Sequence, residues 1–148
     1  MNGETRQVKF KLMPGVLTIV TLLAIGSAAL AQQKPEQLAQ QSAATWLAFV
    51  DSENYARSWQ EASWTFKVAV SQEQWQRALQ VSREPLGKLV SRKLRSANYK
   101  TTLPGAPDGE YVVLKYDSSF EHKQSAVETV TPTLDRDGKW RVSGYYIK

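Results

Sequence analysis

Residues 71–103 read SQEQWQRALQVSREPLGKLVSRKLRSANYKTTL, and the hydrophobic period changes inside them. Trp75, Ala78, Leu79 and Ser82 recur at helical spacing. Ser71 with Gln74 three positions on forms a capping box that opens the helix, and Pro85 and Gly87 close it. From Lys88 to Leu103 the period is two, in a long stretch rich in Ser, Thr and basic residues. Helices therefore lie before this junction and strands after it.

On the N-terminal side, a stripe of Leu38, Ser42, Trp46 and Phe49 predicts one helix, with Pro35 tolerated in its first turn. Tyr55, Trp59, Ala62, Phe66 and Val70 predict a second helix, with a break near Ser63–Thr65 as an option. On the C-terminal side, PGAPDG at 104–109 is a loop by composition. Residues 110–120 form the second strand, with Val112, Leu114, Tyr116 and Phe120 on one face. A polar break, EHKQ at 121–124, precedes a third strand to Leu134, and a fourth runs from Lys139 to Ile147. In that last strand Trp140, Val142 and Tyr146 are expected to share a face, while Gly144 points to a bulge or a close helix approach. For the last hairpin a four-residue loop, Asp135–Gly138, is preferred, because a two-residue loop would set Arg136 opposite Lys139. The expected fold class is α+β: three N-terminal helices packed on one face of a four-stranded antiparallel meander sheet.

The chain has 148 residues, of which 42% are hydrophobic and 10% aromatic, a globular composition. It contains no cysteine, which excludes disulfides, thiolate metal sites and a cysteine nucleophile. A single histidine, His122, excludes a multi-histidine metal centre within one chain, and no metal or cofactor is expected. At the N-terminus Arg6, Lys9 and Lys11 precede an uncharged run, VLTIVTLLAIGSAAL from Val16 to Leu30, which ends in Ala29-Leu30-Ala31. That order is the n-region, h-region and cleavage site of an export signal, and the run is short of the ~20 apolar residues of a membrane span. Residues 1–31 are thus expected to be a signal peptide, 32–37 a polar lead-in and 38–148 a single domain. The mature form is expected to be periplasmic or secreted and not membrane-spanning. Removing Arg6, Lys9, Lys11 and Glu4 lowers the formal charge from +5 to +3.

The chain resembles the bacterial exported family catalogued as domain of unknown function 4019. The resemblance rests on Ala44-Thr45-Trp46-Leu47, Tyr55 with Ser58-Trp59, Ser71–Trp75 and Pro85-Leu86-Gly87. It continues through Ser91-Arg92, the segment LPGAPDGEY at 103–111, Glu128–Thr131, and Asp137-Gly138 with Trp140-Arg141-Val142. It implies an exported helix-then-sheet domain, of the kind seen in cystatin-like and nuclear-transport-factor-2-like cones. It implies no activity.

Five groups of residues are weighed for function. Lys88, Arg92, Lys93, Arg95 and Lys100 form a basic stretch without an acid. They read either as a site for an anionic envelope component or, preferably, as charges that guard an edge strand from pairing with other chains. Nucleic acid is not expected as a partner, because stacking aromatics are sparse there. The tryptophans read as core, except Trp64, which lies off its helical stripe and is a candidate for a ligand wall. Glu128 shares a strand face with Val130 and Leu134. In an apolar concavity it could act as a base, with Tyr116 or Tyr146 as hydrogen-bond donor; the plainer reading is a salt bridge to an Arg or Lys of a neighbouring strand, or a position near the open end of the sheet. Asp135–Gly138 begins like a calcium loop, but the position that needs a bidentate Glu falls on Tyr146. His122 reads as a solvated loop residue. The preferred reading is a non-enzymatic binding or interaction domain of the cell envelope, with an unidentified envelope protein or anionic component as partner. The alternative is a small cone-fold enzyme that uses Glu128 for acid–base chemistry on an apolar ligand.

Overall fold

A computed structural model describes residues 33–148. The signal-peptide assignment lies outside the described residues. Helix α1 spans Pro35–Asp51, α2 Tyr55–Gln60, α3 Trp64–Ala69 and α4 Gln72–Ser82, followed by a 3₁₀ turn at Glu84–Leu86. Strands β1 Leu89–Lys100, β2 Tyr111–Phe120, β3 Lys123–Leu134 and β4 Trp140–Ile147 form one antiparallel sheet in the order β1-β2-β3-β4. The α+β class and the four-stranded meander agree with the sequence reading.

The helix count does not: there are four helices, not three. The stripe from Tyr55 to Val70 is cut in two because Ser63 takes an extended backbone and caps α3, accepting a hydrogen bond from the Phe66 N–H. Ser63 also donates its own N–H to the Val142 carbonyl of β4 at 2.8 Å, tying the break to the sheet. The capping box of α4 forms as expected, with Ser71 and Gln74 each accepting from the other's backbone N–H. Pro35 begins α1, so the last residues of the lead-in form its first turn.

Helix α1 contacts all four strands and buries Ala39, Ala43, Trp46, Leu47 and Val50. These residues join Val112, Leu114, Tyr116, Val130 and Val142 of the sheet, and Trp75 and Leu79 of α4, in one core. Trp46, Trp75 and Tyr145 contact one another edge-on or tilted, at centroid distances of 5.4–6.3 Å. Buried Ser58 serves two indoles: its carbonyl accepts from Trp46 Nε1 at 2.7 Å and its hydroxyl from Trp75 Nε1 at 2.9 Å. Trp59 and Trp140 pack against this core but are only partly buried.

Three local irregularities decide which side chains point inward. Between Thr131 and Pro132 the β3–β4 register shifts, so that Thr131 faces Gly144 and Pro132 faces Val142. Pro132 lies in an inner strand and has no N–H to give, and a bulge is where such a strand tolerates proline. The extra residue, Ser143, reverses the alternation, so Val142 and Tyr145 join the core and Tyr146 faces solvent. The expected grouping of Tyr146 with Trp140 and Val142 is thereby corrected. A second bulge at Arg95, between the pairs Leu94–Tyr116 and Ser96–Lys115, keeps both Leu94 and Ala97 against the core. Finally, Gly87 has φ +74° and ψ −159°, a region open only to glycine, and a Cβ there would lie 2.7 Å from Glu121 Oε2.

The hairpins are tighter than expected. Phe120 pairs with Lys123, so only Glu121 and His122 form the β2–β3 turn. In the last hairpin Asp135 and Lys139 still pair, Asp135 N–H donating to the Lys139 carbonyl, and Gly138 takes φ +76°. The loop is therefore Arg136–Gly138, with glycine in the left-handed position that a three-residue turn requires.

Candidate functional site

Glu128 is 0% exposed, on the inward face of β3. Arg92 of β1 reaches it across β2, because the residue between them, Ser118, is small. Arg92 Nε donates to Glu128 Oε2 at 2.6 Å and Nη2 to Oε1 at 3.0 Å. The Ser118 hydroxyl bonds Oε2, and the Tyr145 hydroxyl donates to Oε1 at 2.6 Å. Both carboxylate oxygens are thus occupied by three side chains from the other three strands.

The network continues into the helices. The two terminal nitrogens of Arg92 also donate to Asp51, at 2.7 and 2.9 Å. Asp51 ends α1, where a carboxylate opposes the negative end of the helix dipole and needs cations beside it. Arg83 supplies a second one, at 3.2 Å. It follows the last turn of α4, donates to the Gly87 carbonyl at 2.6 Å, and lies 4.4 Å above the Phe120 ring. Two carboxylates and two guanidiniums therefore balance. Burial works against the charge of Arg92, but its bonds to Asp51 and Glu128 outweigh that and hold its pKa above the ordinary value. Burial, then the Glu128 charge, pushes the Tyr145 hydroxyl upward, so it stays a proton donor.

Of the donors expected beside Glu128, neither makes the bond. Tyr116 is buried with its hydroxyl unpartnered, and Tyr146 is 50% exposed on the other face. Tyr145 was hidden from sequence reasoning because its inward orientation depends on the Ser143 bulge. Asp51 and Arg83 gave no signal beyond their places at helix ends. Among the basic candidates, Arg92 is inward, Arg95 is paired with Asp117, and Lys93 is exposed. Arg95 and Asp117 are both about half exposed, so the pair lies on the surface.

The open concavities lie elsewhere. A cleft of about 510 Å³ sits at the loop end of the sheet, between the start of α3, the 104–110 loop and the β3–β4 hairpin. Trp64, 61% exposed, forms one wall, with the Arg136 guanidinium 5.8 Å from its ring. Pro107, Asp108 and Gly109 also line the cleft, pinned by a 2.6 Å bond from the Tyr111 hydroxyl to the Pro107 carbonyl. Arg141 is part of the lining, clamped by Asp135 at 2.9 Å and by Asp137 at 2.8–2.9 Å. A second cleft, of about 710 Å³, runs between α1 and the start of β4, lined by Leu38, Ser42, Phe49 and Trp140. No member of the Glu128 network lines either cleft. Among the described residues no three acidic or histidine side chains converge to hold a metal ion.

Residues 42–145 match the family described as protein of unknown function (DUF4019), and the chain belongs to that family. No curated protein and no solved structure matches it.

Proposed function

We propose that this member of the family is a non-catalytic binding domain of the cell envelope, exported by its N-terminal 31 residues, with its ligand site in the cleft beside Trp64. One observation carries the reading. Glu128, the carboxylate that acid–base chemistry on the sheet's inner face would use, has both oxygens occupied by three side chains and no exposure. A general base needs an oxygen free to meet a substrate proton, so Glu128 is assigned to holding the fold.

The space between helices and sheet that could have held an apolar ligand is filled by Trp46, Trp75, Phe66 and Tyr145. An anionic envelope component finds less support as partner. Arg92 and Arg95 are committed to carboxylates, which leaves Lys93 of the three candidates. Trp64 lines a cleft whose 107–109 segment is already pinned, as in a preformed site.

The test is mass spectrometry of wild-type protein and a Trp64→Ala variant, both purified from the native envelope. We expect a small molecule, glycan or protein that accompanies the wild type and is lost from the variant. Equal recovery from both, or nothing accompanying either, overturns the cleft assignment.

A further inference from the structure

We propose that the cleft beside Trp64 takes a short saccharide chain, an inference that rests on the cleft being the ligand site. Three features of its lining select that chemistry. The first is the indole. A ring 61% exposed offers a flat π face whose negative quadrupole attracts the polarised C–H groups on one side of a pyranose. Arg136 lies over one face of the same ring, 5.8 Å from its centre, and steadies it, so a pyranose would stack on the other face.

The second is the charge balance. Asp108, Asp135 and Asp137 against Arg136 and Arg141 leave the lining slightly negative, on a chain whose net charge is positive. Arg141 is saturated by Asp135 and Asp137. An anionic ligand would therefore find one unpaired guanidinium, Arg136, with an unpaired carboxylate, Asp108, in the same lining. Asp108 and Arg136 are exposed and form no ion pair among the described residues, so one accepts and the other donates hydrogen bonds. Ligand hydroxyls, each donor and acceptor, match that pair, and bonds to charged partners are the stronger kind.

The third is the backbone. A bound peptide would pair with free main-chain groups along the wall. The N–H groups of Gly109, Leu134 and Asp135 already donate within the fold, to Thr101, Glu110 and Lys139. At these three positions the main chain is spent, and recognition there falls to side chains and to the stacking face. Its volume of about 510 Å³ lies within the range of roughly 300–1,000 Å³ usual for ligand sites.

The probe is a β-1,4-linked N-acetylglucosamine tetramer, with maltotetraose as a second sugar, added at up to millimolar concentration to the ¹⁵N-labelled domain of residues 32–148. The indole N–H signal of Trp64 is assigned with Trp64→Phe. We expect at least one sugar to shift that signal, while the Trp46, Trp59 and Trp75 indoles, each bonded inside the fold, stay in place. Trp64→Ala should weaken binding at least tenfold and Asp108→Asn several-fold, with both variants melting as the wild type does. No shift with either sugar, or binding that survives Trp64→Ala, overturns the inference. The native-envelope comparison then separates the two claims. If Trp64-dependent material is still recovered, the saccharide class falls and the cleft stands; if none is, both fall.

Discussion

Tyr145 and Tyr146 are adjacent in the chain and differ in everything that matters to the fold. One hydroxyl bonds a carboxylate in the core; the other residue is half exposed to solvent. Removing a hydrogen bond to a charged partner costs about 1.5–3 kcal/mol when the partner stays buried. Tyr145→Phe should lower stability by about that amount, and Tyr146→Phe should leave it within ~0.5 kcal/mol. Urea unfolding of the two variants checks this. Equal losses would mean that β4 does not turn over at Ser143. The same pair marks the limit of what residue patterns reveal. Strand alternation rightly turned Glu128 inward, and an ion pair to a basic residue was the plainer reading of it. The partner identity was only half visible, since Arg92 belongs to β1 and reaches past β2, a distance that no sequence spacing encodes. Tyr145 was invisible because one extra residue reverses a period of two.

At the scale of elements, what was legible followed from local chemistry. The Ser71–Gln74 capping box, the loop at 104–109 and the four strands all depend on residues close in sequence. The division of Tyr55–Val70 into two helices depends on a distant partner, since Ser63 donates its backbone N–H to Val142 on β4. Turn length depends instead on local backbone conformation. A glycine at φ +76° lets the last hairpin close over three residues, and Arg141 then clamps Asp135 and Asp137 together across its base. Hydrogen bonding to Arg141 holds the Asp137 carboxyl at about 2, below its ordinary value of 3.8. With a depressed folded pKa, the clamp's contribution is complete above about pH 4 and is lost as pH falls through the folded value. An NMR titration should therefore find the Asp137 midpoint at about 2, and Arg141→Gln should move it upward. A wild-type midpoint near 4 would rule the clamp out in solution.

For the whole molecule, the sheet order makes β1 an edge over its full length from Leu89 to Lys100. The opposite edge, β4, is partly engaged by Ser63. Exposed charges on an edge strand discourage pairing with another chain, and Lys93 and Arg95 are both exposed. Replacing both with Val should raise self-association, seen as a concentration-dependent mass in light scattering. Arg92 should be kept, because its role is internal. A double variant that stays monomeric at every concentration would show that the edge needs no such protection. The charge network has a further consequence, for the order in which the chain can assemble. Its members stand at positions 51, 83, 92, 118, 128 and 145, and Asp51 meets Arg92 across 41 positions of sequence. Contacts of such separation form only after long loops have closed. During synthesis, at ~5–20 residues per second, the helical half emerges well before the strand that carries Tyr145. Until that strand arrives, the pocket around Glu128 stays open to water and α1 has only part of the sheet to settle on. Complete docking of α1 thus waits for β4, and a chain cut before Trp140 should be digested faster than the full chain in limited proteolysis.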